Sequence, residues 1–322
     1  MKRDAVSERD DSDDVPTSVL TDALAGLRER LQGPLDAQGG GIDWMELYDA
    51  ARHGFARLGG MRDVSAEVDD FGMDAAALAA AQGWLDFLFD RWWRVEVTGL
   101  ETVPMAGARL FAANHSGLLP WDGLMVVHAL ARHDPQSPRP RFLVADWIAT
   151  LPFAAPAITR LGGVRACREN AARLLRTGRS VVAFPEGAKG AAKVFRQRYR
   201  LQRFGRGGAV RTALAMGVPL LPVAVVGAEE AHPVLFKVEA LARSVGLPFL
   251  PVTPTFPALG PLGLLPLPSK WSIHFGPPIE TAGLGAEAAH DETLVWRMTE
   301  SLRDSIQTML DAGVRRRASV WG

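Results

Sequence analysis

Cysteine is nearly absent from the chain. Cys167 stands alone in 322 residues, so no intrachain disulfide can form, and such a composition suits a reducing compartment. A charge excess of either sign is also missing, because 36 Lys and Arg balance 36 Asp and Glu. No global field therefore draws the chain toward nucleic acid or an acidic membrane. Tyr occurs only twice against nine Trp, so the aromatic content favours large apolar bodies. The start, Met1-Lys2-Arg3-Asp4, leads into acidic and polar residues instead of an apolar run, so no secretory signal is expected. No internal repeat appears. His128, His133, His232 and His274 are scattered without metal-ligand spacing, so no metal site is expected. Gly162-Gly163 makes neither a Rossmann nor a Walker loop, and no RNP, zinc or basic-zipper pattern accompanies the basic residues. Nucleic acid is not an expected partner.

An uninterrupted hydrophobic span is missing too. Ser244–Ser269 carries no charge and is long enough to cross a bilayer, but Pro248, Pro251, Pro254, Pro257, Pro261, Pro266 and Pro268 forbid a continuous helix. Irregular backbone exposed to lipid leaves its polar groups unsatisfied. The segment reads either as an apolar excursion that covers a channel or dips into an interface, or as a buried Pro-rich connection. The expected location is thus peripheral, on the cytoplasmic side of a membrane.

The patterns that are present divide the chain. Residues 1–18 are too charged to bury and are expected to be disordered. Residues 19–94 read as a helical extension, with helices over Thr21–Gln32, Trp44–Leu58 and about Met73–Trp93. In the last, Leu78, Ala81, Trp84, Leu85, Leu88, Phe89, Trp92 and Trp93 recur at helical spacing. That stripe either packs on a core or lies in a membrane interface. From Val95 onward strands and helices alternate through residues 95–322. Strands are expected at residues 95–97, 110–113, 142–145, 180–184, 220–226 and 272–275. Helices are expected at residues 123–132, 168–176, 208–216 and 293–311. Short apolar strands separated by helices predict an α/β fold with a mostly parallel central sheet covered on both faces.

The sharpest chemical feature is Asn114-His115-Ser116-Gly117 with Asp122 downstream. The apolar strand 110–113 would place His115 at a strand's C-terminal edge, where open α/β sheets carry their sites. Asp122 would cap the helix that follows. Imidazole, with an ordinary pKa of roughly 6.5, can take a proton from a hydroxyl at neutral pH. A carboxylate beside it fixes the tautomer and stabilises the imidazolium. Ser116 lacks a G-x-S-x-G elbow and Cys167 has no special setting, so no protein nucleophile is evident. Such a pair suits activation of a substrate hydroxyl for direct attack on an acyl donor. A satisfied loop histidine beside a capped helix start is the alternative.

With its companions this block resembles the phospholipid/glycerol acyltransferase family, which includes lysophosphatidic acid acyltransferases. The likeness runs over about residues 95–280. Asn114-His115 through Asp122 looks like the first family block, although six residues separate His115 from Asp122, a longer spacer than usual. The loop must bulge for the two side chains to meet. Leu161-Gly162-Gly163-Val164-Arg165, Phe184-Pro185-Glu186-Gly187 and Val218-Pro219-Leu220-Leu221-Pro222-Val223 are similar to the later blocks, in order. Ala188-Lys189-Gly190 stands where a Thr-Arg pair is usual, and Lys189 lacks the planar fork of Arg. The run Tyr199–Gly208, with Gly227-Ala228-Glu229-Glu230, is similar to the branch of monoacylglycerol and diacylglycerol acyltransferase-like proteins, which can use neutral acceptors.

The resemblance implies transfer of a fatty acyl group from acyl-CoA or acyl-carrier protein to a hydroxyl of a glycerolipid or lysophospholipid, with no cofactor. It implies His115 as general base and Asp122 as its orienting group. Asn114, Arg165, Glu186, Gly187 and Lys189 would bind substrate. Acyl-carrier protein is the macromolecular partner this reading allows. Lys189, Lys193, Arg196, Arg198, Arg200, Arg203 and Arg206, with no acidic residue among them, read either as a solvated face or as a cationic rim for phosphates. A lipid hydrolase using the same dyad, or a lipid-binding protein without catalysis, are the other classes consistent with the sequence.

Overall fold

The computed structural model describes residues 68–321, apart from 118, 151–153, 239–241, 243–248, 260–262 and 264. These residues belong to the unit Ala50–Gly322. The expected disordered tail and the helices over Thr21–Gln32 and Trp44–Leu58 lie outside the described residues.

The described strands are β1 (Glu96–Thr98), β2 (Leu110–Ala113), β3 (Arg141–Val144), β4 (Gly163–Arg165), β5 (Val181–Ala183), β6 (Leu220–Val226), β7 (Phe236–Val238), β8 (Leu250–Val252) and β9 (Ser272–Phe275). The α-helices are α1 (Ala75–Asp86), α2 (Trp121–His133), α3 (Ala154–Arg160), α4 (Arg168–Arg176), α5 (Ala188–Ala191), α6 (Gly208–Met216), α7 (Ala228–Ala231) and α8 (Glu292–Arg316). Seven strands form the central sheet in the order β1-β9-β6-β2-β5-β3-β4. It is mostly parallel: β9 runs antiparallel to β6, and β1 is parallel to β9. β2, β5 and β6 are buried along their whole lengths. Their apolar runs are what a sheet covered on both faces requires.

One face carries α4, α6 and α8. Leu174, Leu175, Val210, Leu214, Leu302 and Ile306 pack there with Leu110, Ala112, Val181 and Ala183. The opposite face carries α2, which comes so close that a Cβ on Gly123 would stand 2.9 Å from the Phe142 ring. Successive strand side chains alternate faces, so Phe142 meets α2 while Leu143 turns toward the other layer.

The helix expected over Met73–Trp93 is α1 followed by a π-helical turn, Phe87–Trp92. Asp74 caps it by accepting from Ala77 N at 3.1 Å. The apolar stripe is core. Leu85 and Trp93 are fully buried, and Trp93 stacks on Trp271 with ring centroids 4.3 Å apart. Trp92 and Trp93 donate their indole N–H groups to the Pro266 and Leu267 carbonyls at 3.0 and 3.1 Å. A buried indole needs such an acceptor, and these two are supplied by the Pro-rich segment.

Part of that segment is the buried connection foreseen as one of its two readings. Its far end, Pro266 to Ser269, is mostly buried and serves as the acceptor strip for Trp92 and Trp93. Its earlier part contributes β8, which pairs antiparallel with β7 in a separate two-stranded ribbon. Phe236, Val238, Leu259 and Leu265 remain exposed on and beside this ribbon. Among the described residues, no helix is long and apolar enough to cross a membrane.

Candidate active site

The site is assembled where β2, β5 and β6 end on the same edge of the sheet. β2 stops at Ala113, and the next side chain takes over the sheet's bonding. Asn114 Oδ1 accepts from Val225 N at 2.7 Å and Asn114 Nδ2 donates to Val225 O at 2.9 Å. Asn114, expected to bind substrate, is fully buried with its amide spent on β6. It is a clamp that fixes where the His115 loop begins.

His115 follows. Its backbone N–H donates to Glu186 Oε1 at 2.9 Å, and its ring lies 4.4 Å from the Phe184 ring at an interplanar angle of 26°. Nδ1 is 2.8 Å from Asp122 Oδ2. The long spacer closes because Ser116 turns back on the same carboxylate, donating from N at 2.8 Å and from Oγ at 3.0 Å. Asp122 Oδ1 accepts from Gly123 N at 2.7 Å. Asp122 is therefore not the helix cap expected from the sequence. Pro120 holds that position, and Asp122 sits inside the first turn of α2, where the helix field favours a negative charge.

This geometry assigns the imidazole's proton. A carboxylate only accepts, so Nδ1 carries a hydrogen, and in the neutral ring Nε2 is the nitrogen with the lone pair. The His115 side chain is 13% exposed while Asp122 is fully buried. His115 lines a cavity of about 310 Å³. The cavity extends from His115, Phe184 and Gly187 along the sheet face beneath α4, α6 and α8, where Leu110, Leu143, Ala171, Ala183, Val210 and Leu302 form its walls. It is a mostly apolar trough with the His115 imidazole at one end. Its size falls at the lower end of the range for small-molecule sites.

The remaining predicted residues separate. Gly187 lines the cavity, and Lys189 is exposed on α5 just beyond it. Arg165 does not line it. That side chain is exposed and makes a forked pair with Asp146, Nε to Oδ1 at 2.7 Å and Nη2 to Oδ2 at 3.1 Å. Glu186 is turned inward, with its side chain fully buried. Its oxygens accept from His115 N, from Gln202 N at 2.7 Å and from Lys193 Nζ. That placement, for a residue expected to bind substrate, makes Glu186 a brace behind the histidine.

Several residues at the site were not singled out from the sequence. Arg168, at the start of α4, lines the cavity that Arg165 misses. Gly190 packs so closely that a Cβ there would stand 2.5 Å from Glu186 Cβ and 3.1 Å from His115 Cβ. Lys193 had been grouped with the basic run, but it is buried between Glu186 and Glu229. Burial pushes the Glu229 carboxyl up to about 7, against the pull of Lys193 and the Tyr199 N–H. Burial acts to lower the Lys193 pKa, but Glu229 and Glu186 outweigh it and hold the ammonium above its ordinary value. Among the described residues, no three His, Cys, Asp or Glu side chains are grouped so as to hold a metal ion.

A doubly covered, mostly parallel sheet with a His-Asp pair beside an apolar trough defines a class of protein, and the comparisons give its family. The profile of the family described as Acyltransferase matches residues 94–226. An uncharacterised protein of Mycobacterium tuberculosis (strain ATCC 25618 / H37Rv) is 45% identical over 262 residues, which is 81% of this chain and 73% of that one. An uncharacterised protein of Mycobacterium leprae (strain TN) is 46% identical over 244 residues, covering 76% of this chain and 66% of its own. The chain belongs to the acyltransferase family, as its sequence blocks implied. The crystal structure of the 1-acyl-sn-glycerophosphate acyltransferase from Thermotoga maritima aligns over 85% of this chain and 93% of that one, with 18% identity and a TM-score of 0.48.

The clamp role of Asn114 is open to test. Asn114→Ala leaves the buried Val225 N–H and carbonyl without partners, so the unfolding free energy should fall by about 2–4 kcal/mol in urea titrations. An unchanged stability with a raised KM would restore Asn114 to the substrate site.

Proposed function

We propose that this protein is an O-acyltransferase that moves a fatty acyl group from acyl-CoA or acyl-carrier protein to a hydroxyl of a glycerolipid or lysophospholipid. The observation that carries this reading is the His115–Asp122 pair, 2.8 Å apart, at the wall of an apolar cavity large enough to take part of an acyl chain. In this reading the chain lies along Leu110, Leu143, Val210 and Leu302, which places the thioester carbonyl beside His115.

The chemistry then follows from the nitrogen that is free. His115 Nε2 takes the proton of the acceptor hydroxyl as its oxygen attacks the thioester carbon. Asp122 supports the positive charge that forms on the ring without taking the proton itself. Backbone N–H groups of the turn after Gly187 would meet the oxyanion. Collapse of the tetrahedral intermediate breaks the C–S bond, and the imidazolium returns its proton to the thiolate. Ester and thiol leave, and His115 is again neutral. Arg168 places positive charge at the cavity wall, where the phosphates of the donor or of an anionic acceptor would sit, and Lys189 is exposed on α5 two residues beyond Gly187.

His115→Ala should lower acyl transfer by about two to four orders of magnitude, the usual share of a positioned acid–base group, with folding unchanged. The assay is thiol release from acyl-CoA across lysophospholipids, monoacylglycerol, diacylglycerol and long-chain alcohols. Near wild-type turnover in the variant would remove the mechanism. Thiol release with free fatty acid and no acceptor dependence would make the protein a hydrolase.

The same reading puts the protein at a membrane surface on the cytoplasmic side, since its substrates are lipids. The exposed side chains of Phe236, Val238, Leu259 and Leu265 supply an apolar contact. Leu259→Ser combined with Leu265→Ser should weaken the partition into liposomes by about a hundredfold or more, given roughly 1.5–3 kcal/mol for each large apolar side chain buried in the interface. Unaltered sedimentation would exclude the ribbon as the contact.

A further inference from the structure

Of the basic run between Lys189 and Arg206, Lys193 alone is buried. Its side chain is 3% exposed, and it stands between two carboxylates that are themselves hidden, Glu186 at 0% and Glu229 at 6%. Nζ lies 2.9 Å from Glu229 Oε1 and 3.3 Å from Glu186 Oε2. Neither carboxylate faces the cavity. Each accepts from backbone: Glu186 from His115 N and Gln202 N, and Glu229 from Tyr199 N at 3.1 Å. A second hidden group adjoins them, in which Arg317 pairs with Glu230 and the Tyr199 hydroxyl.

Such a cluster is costly to bury and holds together only as a whole. Two carboxylates near each other in a low-dielectric site repel, and removing the ammonium between them leaves charge that neither water nor protein compensates. The cluster would then relax either by protonating a carboxylate or by moving one. Glu186 is the member that matters for chemistry, because its Oε1 is the acceptor for the backbone of His115.

We propose that Lys193 is a positioning residue for the acyl-transfer step: by balancing Glu186 against Glu229 it holds the His115 backbone, and so sets where Nε2 stands in the cavity. This rests on His115 being the base. Lys193 itself touches no substrate. A displacement of about 1 Å at a catalytic group costs on the order of a hundredfold in rate, so the brace acts on kcat and leaves donor binding in the trough almost untouched.

The test compares Lys193→Met with Lys193→Met/Glu229→Gln in the full chain. Steady-state thiol release from palmitoyl-CoA is measured with lysophosphatidic acid or diacylglycerol as acceptor, and folding is followed by thermal melts. The single variant should lose about 10- to 100-fold in kcat with little change in the KM for palmitoyl-CoA. The double variant has one carboxylate and no ammonium, so Glu186 again meets its backbone donors without a charged neighbour, and kcat should recover at least severalfold. This rescue holds as the criterion even where the single variant fails to fold. A single variant with wild-type kcat overturns the proposal, as does a double variant that fails to fold or folds without recovery. His115→Ala run alongside separates the two readings: if it is fully active, the base assignment fails, whatever Lys193 does.

Discussion

Four hydrogen-bond donors converge on the carboxylate of Asp122: His115 Nδ1, Ser116 N, Ser116 Oγ and Gly123 N. The site depends on that convergence. A fully buried carboxylate needs several good donors to offset the loss of water, and here they come from both ends of the loop it closes. Ser116 is the residue that lets a long spacer behave as a short one, because its N–H and hydroxyl draw the start of the loop onto the start of α2. The same bonds orient the imidazole. With Nδ1 engaged, only Nε2 can act, and the stacked Phe184 ring limits how far the imidazole can turn.

Behind this pair stands a second layer that fixes main chain instead of side chain. Asn114 ties the end of β2 to Val225, and Glu186 ties His115 to Gln202. His115 is thus held by its ring from the α2 side and by its backbone from the β5 side. Gly190 allows the α5 turn to lie against both Glu186 and His115, where any larger residue would have to push one of them aside. A rigid base beside a trough of aliphatic walls is an arrangement in which the acyl chain's burial can be used to bring the reacting carbon to the nitrogen.

Much of this was legible in the sequence, and what was not has a common physical reason. Six strands of the sheet were read from the sequence, most plainly the buried apolar runs of β2, β5 and β6, and α4 and α6 have the predicted limits, because local pattern and burial agree there. β4, β7 and β8 were not read, because Gly163 and Arg165 bracket β4, β7 is exposed along its length, and β8 carries Pro251 inside the Pro-rich segment. The His115–Asp122 contact was anticipated, since only the loop between β2 and α2 separates the two residues. The roles of Asn114, Glu186 and Lys193 were not. Their partners lie far along the chain, Val225 being 111 residues from Asn114 and Glu229 being 36 from Lys193. Polar residues beside a motif look alike whether they turn toward substrate or toward the core. Arg165 and Arg168 illustrate this: three positions apart, one pairs with Asp146 at the surface and the other borders the cavity. The Trp92–Trp93 stripe was ambiguous for the same reason, until the carbonyls of Pro266 and Leu267 supplied its acceptors.

The central claim is that one cavity brings an acyl donor to His115 Nε2. A crystal structure with a non-hydrolysable thioether analogue of palmitoyl-CoA examines it directly. The account predicts the alkyl chain along Leu110, Leu143, Ala171, Val210 and Leu302, with the carbon that replaces the thioester carbonyl next to the imidazole and Nε2 facing it. An analogue bound elsewhere, with the trough empty or with Nε2 turned away from the chain, would contradict it.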